Sequence, residues 1–172
     1  SELKKPMTKF TWVEILLFFA PKISSTAFKA LASIGFFRDF DGRISRNAAL
    51  YEYDIYRTLT KAEHAWTEKN YVNKKWEDFV SCLKDLAPTK KEGGGTHKVD
   101  RKQIVENEIQ LLLDPPYDLK DDPNWIIEQE TRFLGCPVSL TRVEASDTSA
   151  ANTTCKEIVN GKKGKGLCVV GN

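Results

Sequence analysis

The sequence predicts a mainly α-helical protein, with about six helices in an orthogonal bundle and a small C-terminal antiparallel β hairpin or sheet. Three observations favour this fold class. Apolar residues recur at helical spacing over most of residues 10–134, prolines and glycines interrupt the periodic segments, and only residues 138–170 show the alternation typical of strands. With 172 residues, 41% of them hydrophobic, the chain is long enough to bury a core.

The first helix is predicted between Phe10 and Ala20. Thr11 and Glu14 stand three residues apart, which is the spacing of a capping box, so we expect the helix to begin at Thr11. Pro21 follows directly and cannot continue it. Apart from Glu14 the segment is almost wholly apolar, and a helix that is apolar all round is usually buried on every side. We therefore expect it to form the centre of the core.

The same segment is too short for a membrane span. A span needs roughly 20 apolar residues, about twice the length of this segment. A signal peptide is the nearer alternative, because lysines precede the apolar run, but Glu14 and Pro21 are poorly suited to one. If the segment is a core helix, the side chains of Leu16 and Phe19, which lie on one face, should both be buried.

Five further helices are predicted from capping residues, apolar periodicity and stop signals. They run from Ser24 or Ser25 to Gly35, from Ser45 or Asn47 to about Lys69, from Asn73 to Pro88, from about Asp100 to Leu113, and from Asp122 to Gly135.

The C-terminal segment predicts β structure. Residues 138–144 alternate as a strand does, and residues 155–159 and 167–170 flank a turn-rich stretch. One hairpin or a small antiparallel sheet is expected there.

A connector is predicted at residues 88–98, where three consecutive glycines lie among lysines. Residues 1–87, which hold fifteen of the eighteen aromatic side chains, should form a helical core domain. Residues 99–172 should supply two helices and the β element, packed on the first part.

Charge and cysteine content limit the function classes. The net charge is only +2, although residues 1–50 carry eight basic and four acidic side chains and residues 99–135 carry four and nine. This asymmetry favours attraction between the two halves. The four cysteines include no C-x-x-C pair, so zinc is not expected. Reduced thiols and an intracellular protein are favoured, and a secreted, disulfide-linked tail with a sequon at Asn152 is the alternative.

One short motif suggests chemistry. The pattern Asp39-x-Asp41-Gly-x-Ile resembles the first motif of haloacid-dehalogenase-type phosphotransferases. The resemblance implies a magnesium-dependent phosphatase in which Asp39 is the nucleophile and Asp41 a general acid. The same residues resemble part of an EF-hand loop, but Phe37 and Ala48 would then occupy the first and twelfth ligand positions, so calcium is not expected. An ordinary Asp-Gly turn is the simpler interpretation.

Few residues are candidates for acid–base or nucleophilic catalysis. Of the two histidines, His97 lies in the connector and His64 is expected on a helix surface. No nucleophile signature is recognisable, and no cofactor or metal is expected.

We therefore expect a non-enzymatic binding module, with nucleic acid as the first partner and another protein, a surface domain or a homo-oligomer as alternatives. Basic residues of the N-terminal half and of the predicted hairpin tip would contact the phosphate backbone. They are Lys4, Lys5, Lys9, Arg43, Arg46, Lys162, Lys163 and Lys165.

Overall fold

The protein is mainly α-helical, as predicted. The structure is a computed structural model that describes residues 9–38, 44–87, 99–140, 151, 153, 155–161 and 164. Within these residues lie eight α-helices: α1 (Trp12–Glu14), α2 (Ser25–Ser33), α3 (Arg46–Tyr56), α4 (Lys61–Lys74), α5 (Phe79–Leu86), α6 (Val99–Leu113), α7 (Pro123–Leu134) and α8 (Cys155–Val159). None of the helices in the described ranges has the length and apolar character needed to cross a membrane.

The opening helix has the predicted capping box. The Thr11 hydroxyl accepts a hydrogen bond of 3.2 Å from the Glu14 N–H, and the Glu14 carboxylate accepts one of 2.9 Å from the Thr11 N–H. Helix α1 then continues as a π-helix (Ile15–Phe19) and a 3₁₀ turn (Ala20–Lys22) that contains the proline. Of the two residues expected to be enclosed, Leu16 is completely buried and Phe19 is half-buried.

The long helix predicted from Ser45 or Asn47 to about Lys69 is wrong, because the chain forms two helices there. Helix α3 ends at Tyr56, and α4 begins at Lys61 behind a second capping box. Thr60 accepts a hydrogen bond from the Glu63 N–H, while the Glu63 carboxylate accepts one of 2.7 Å from the Thr60 N–H. These bonds satisfy the first amides of α4 without a preceding turn of helix.

The main core lies in the N-terminal part of the chain and is rich in aromatic rings. Phe28 of α2 stacks on Tyr53 of α3 with ring centroids 3.9 Å apart, and Phe37 stacks on Phe28 at 5.0 Å. Trp12 packs edge-on against Phe37. The concentration of aromatic residues therefore predicted the position of the core.

Helix α6 belongs to this core although it follows the predicted connector. Its Val105 and Ile109 are buried in the same cluster as the α1 to α5 side chains, and α6 packs against α5. The chain divides into two compact units, residues 1–120 and residues 121–172. The predicted boundary at residues 88–98 lies outside the described residues and stays a prediction.

The second unit opens with α7, whose ends follow the sequence pattern. Asp122 caps it by accepting a 2.9 Å hydrogen bond from the Trp125 N–H, and Gly135 ends it with a φ of 83°. Glu130 is 1% exposed, and its carboxylate accepts hydrogen bonds of 2.6 and 2.8 Å from the N–H groups of Val138 and Ser139. The backbone after α7 is thus folded back onto the helix.

The predicted C-terminal hairpin is not supported. Residues 155–159, expected to be a strand, form helix α8, and no β-strand occurs within the described part of the chain. Two features explain the difference. Glu130 occupies the N–H groups that Val138 and Ser139 would need for a ladder, and a 3.0 Å hydrogen bond from Thr153 to Glu157 supports the local turn of α8. Residues 141–150 and 167–170 lie outside the described residues.

Candidate functional site

The structure places two of the eight basic residues that were predicted to contact nucleic acid. Lys9 is exposed, whereas Arg46 is only 2% exposed and donates a 3.1 Å hydrogen bond from its guanidinium to the Ser33 carbonyl. The other six lie outside the described residues: Lys4, Lys5, Arg43, Lys162, Lys163 and Lys165.

Arg46 has a structural environment. Gly35, at a φ of 78°, leaves room for the Arg46 guanidinium, because a Cβ added at Gly35 would lie 2.8 Å from Arg46 Nε. The guanidinium thus fills the corner between α2 and α3. A side chain held in this way does not suit a phosphate contact.

The two predicted catalytic aspartates, Asp39 and Asp41, lie outside the described residues, so their motif stays a prediction. His64 differs from expectation. It is half-buried, and its ring packs against Tyr56 with centroids 4.4 Å apart. Burial lowers the pKa of His64, partly offset by the negative charge of Glu63 and a hydrogen bond to the Leu59 backbone. The neutral imidazole is therefore part of the packing.

One cavity of the first unit is an acidic cleft, which we call the Glu52 cleft. Its volume is about 350 Å³. Apolar and aromatic side chains, one hydroxyl and three carboxylates form its wall, the lining residues being Thr11, Trp12, Ile44, Glu52, Glu77, Asp78 and Phe79.

The starts of α1 and α5 and the middle of α3 bring these residues together. The Thr11–Glu14 capping box fixes Trp12 at the beginning of α1. Asp78 caps α5, since its Oδ1 accepts a 2.7 Å hydrogen bond from the Ser81 N–H. Glu52 lies within α3, which begins just after Ile44. Two sides of the cleft are thus fixed by capping interactions that the backbone itself requires.

The Glu52 carboxyl has a raised pKa and a hydrogen-bond partner across the cleft wall. It is half-buried, and its Oε2 accepts a 2.7 Å hydrogen bond from the indole Nε1–H of Trp12. Burial raises the pKa of Glu52 to about 7; the Trp12 hydrogen bond lowers it in part, and the charge of Asp78 raises it. A carboxyl that titrates near neutrality inside a cleft is a feature that functional sites often show.

The described residues that line the cleft carry an excess of negative charge. None of the basic side chains that the structure describes forms an ion pair with Glu52, Glu77 or Asp78. The three carboxylates do not form a metal-holding group either, because no such group of three or more ligands occurs in the described parts of the chain. The arrangement suits an extended organic cation, whose charge and apolar stem can contact carboxylates and apolar walls together.

Sequence reasoning missed these residues. The signal lay in α3, where Ala49, Tyr53 and Tyr56 mark the buried stripe and Glu52 occupies a helical position on its edge. A carboxyl in an apolar stripe usually needs a partner, and Trp12, 40 residues earlier, is that partner. No local pattern could identify a contact over that separation.

Comparisons of the chain with protein-family models, with curated proteins and with solved structures found no match.

Proposed function

We propose that the chain is a non-enzymatic helical binding domain that takes up a basic side chain, arginine or lysine, of a partner protein in the Glu52 cleft. The observation that carries the proposal is the set of three carboxylates, Glu52, Glu77 and Asp78, on the wall of one cavity with no basic partner in the described chain.

The chemistry of the wall supports an organic cation. Guanidinium and ammonium groups donate charge-assisted hydrogen bonds to carboxylates, and an arginine can use its planar fork on two of them. The apolar surface of Trp12, Ile44 and Phe79 offers contact to the aliphatic stem of such a side chain. A cleft of about 350 Å³ lies at the lower end of the range for ligand pockets, which suits one side chain better than a large cofactor.

The charge of the cleft argues for a protein partner over nucleic acid. A phosphate backbone would meet three carboxylates at this surface and be repelled. The nucleic-acid hypothesis stays a prediction that rests mainly on Lys4, Lys5, Arg43 and the lysines of residues 162–165, and the phosphatase hypothesis stays a prediction that rests on Asp39 and Asp41.

Binding of a fluorescein-labelled peptide that carries two arginines between glycines tests the proposal, with fluorescence anisotropy as the readout at pH 8. Replacing the three cleft acids together (Glu52→Gln, Glu77→Gln, Asp78→Asn) should weaken binding about tenfold or more, since each charge-assisted hydrogen bond contributes roughly 1.5–3 kcal/mol. Asparagine at position 78 retains the helix cap, so α5 should remain intact.

The matched control removes the same charge elsewhere in the first unit. The triple variant Glu68→Gln, Glu108→Gln, Asp114→Asn should bind the peptide nearly as well as the unaltered protein. Equal losses in both variants would show only general attraction to an acidic surface and would overturn the proposal. Binding of an oligonucleotide that weakens steeply with salt and is lost on changing Lys162, Lys163 and Lys165 to Ala, without arginine-peptide binding, would replace it with the nucleic-acid function.

A further inference from the structure

We infer that the Glu52 cleft is a proton-controlled site, in which the Glu52 carboxyl must lose its proton before the basic side chain of the partner can bind tightly. The inference rests on the proposed function and adds a regulation to it. Its basis is the position of Glu52, between the indole of Trp12 and the open cleft.

The Trp12–Glu52 hydrogen bond holds the carboxyl in place in both protonation states. An indole N–H can only donate, and it lies 2.7 Å from Glu52 Oε2. A carboxylate accepts this bond, and the carbonyl oxygen of a neutral carboxylic acid accepts it equally well in geometric terms. Gain or loss of a proton therefore changes the charge of the cleft while the side chain stays in position.

The surroundings of Glu52 contain other acids and no described cation. The elements around the cleft contribute Thr11 and Trp12 from the start of α1, Ile44 from the segment before α3, and Glu77, Asp78 and Phe79 from the start of α5. Among these lining residues only Glu77 and Asp78 carry charge, and both are negative. A cation in the cleft would favour the ionised form of Glu52, which burial and Asp78 disfavour.

Linkage fixes the direction of the effect. Because the bound cation stabilises the carboxylate, binding must release a proton wherever free Glu52 is still protonated, and affinity must rise with pH until Glu52 is fully ionised. Ionisation of Glu52 adds one negative charge to the cleft. The partner is therefore held more tightly in neutral and weakly alkaline solution than in mildly acidic solution.

The proton step can be measured without any ligand. In ¹H–¹⁵N NMR spectra, the Trp12 indole Nε1–H resonance should shift between pH 5.5 and 8.5 with a single midpoint near neutrality, because its acceptor changes charge. The resonance is assigned by its loss in Trp12→Phe and by its displacement in Glu52→Gln. It should not titrate in Glu52→Gln, and it should titrate normally in Glu68→Gln, which removes an exposed charge. An indole resonance that stays fixed over this range overturns the inference.

The binding step uses the arginine peptide described above. Affinity should increase about fivefold or more from pH 5.5 to pH 8, and Glu52→Gln should bind weakly at both pH values. If the indole titrates and the peptide binds equally at both pH values, the proton control is wrong while the proposed function stands. If the indole titrates and no peptide binds at any pH, the proposed function fails, and the inference that rests on it fails too.

Discussion

Arg101 of α6 forms a two-point ion pair with Glu63 at the beginning of α4. Its Nε donates to Glu63 Oε1 at 3.1 Å and its terminal nitrogen to Glu63 Oε2 at 2.5 Å. The Glu63 side chain is almost fully buried and that of Arg101 is partly exposed. The same carboxylate also closes the capping box of α4 by accepting from the Thr60 N–H. A single side chain thus both starts one helix and attaches another to it.

Removing Arg101 should leave Glu63 as a buried charge without its cation. We expect Arg101→Met to lower the free energy of unfolding by about 2–4 kcal/mol, near the value for breaking a buried pair and reduced for the exposure of Arg101. The measurement is urea denaturation at pH 7. Lys102→Met is the matched control on the same helix, because its pair with Glu106 is exposed and should contribute less than about 1 kcal/mol.

The pH dependence of this pair has a defined sign. Burial raises the pKa of Glu63, but the hydrogen bonds from Arg101 and Thr60 outweigh it and leave the pKa below its ordinary value. The stabilisation is therefore present above the unfolded-state pKa and is lost as pH falls. Adding Glu63→Gln to Arg101→Met should recover part of the lost stability. Equal stability of Arg101→Met and the unaltered protein would show that the pair contributes nothing.

Gly35 should tolerate no side chain. Gly35→Ala meets two penalties: a left-handed φ of 78°, which costs about 1–2 kcal/mol, and contact of the new Cβ with the Arg46 guanidinium. Gly135→Ala is the control, because Gly135 has a φ of 83° but no atom within 4 Å of the position of a new Cβ. Residue-resolved hydrogen exchange in α2 and α7 reads each site separately. A larger loss of exchange protection in α7 of Gly135→Ala than in α2 of Gly35→Ala would contradict the close packing of Arg46.

Leu16 should be among the most sensitive core positions. It is completely buried within the π-helix, so Leu16→Ala removes contacts on all sides and should cost about 2–5 kcal/mol. Phe19→Ala should cost less than full burial would imply, because Phe19 is half-buried. Leu113→Ala provides the control, since that side chain is 55% exposed and its loss should change stability by less than about 0.5 kcal/mol. The measurement is urea denaturation, and an unchanged midpoint for Leu16→Ala would show that this helix is not the centre of the core.

Glu52 should make stability depend on pH in the opposite direction to Glu63. Because its pKa is raised from 4.5 to about 7, its contribution is fully present below the unfolded-state pKa and is lost as pH rises through 7. Glutamine at position 52 cannot ionise. The free energy of unfolding of Glu52→Gln should therefore rise relative to that of the unaltered protein by about 1–3 kcal/mol between pH 4.5 and pH 8.5. Glu68→Gln, which changes an exposed carboxyl, should show a difference below about 0.5 kcal/mol. A constant difference between Glu52→Gln and the unaltered protein would contradict the raised pKa.

Local sequence signals predicted those helix ends at which a residue next to the helix terminus satisfies its unpaired backbone groups or adopts the required backbone conformation. The capping box at Thr11, the Asp122-Pro123 start of α7 and the glycine at position 135 are of this kind. The Thr60–Glu63 capping box is equally local, but the apolar period that continues across it favoured one long helix. The apolar periodicity therefore predicted one helix where the Thr60–Glu63 capping box starts a second one.

Tertiary contacts explain what the sequence could not predict. Val138 and Ser139 alternate as a strand does, yet their N–H groups bind Glu130, eight and nine residues earlier. Arg46 is a basic residue of the kind that contacts phosphate, yet the absence of a side chain at Gly35 leaves room for its guanidinium in the interior. Glu52 has its hydrogen-bond partner in Trp12, 40 residues earlier in the chain. In each case a contact outside the local sequence pattern determines the environment of the residue.

The place of α6 in the core has a consequence for how the protein is made. Val105 and Ile109 complete the same apolar cluster as α1 to α5, but they are synthesised after all of those helices. While the ribosome is still adding residues 88–113, the nascent N-terminal helices expose the apolar surface that α6 will cover. Exposed apolar surface on an incomplete chain promotes misfolding and aggregation. Completion of the N-terminal unit during synthesis should therefore wait until α6 has emerged, and over this interval the nascent chain should be most accessible to chaperones.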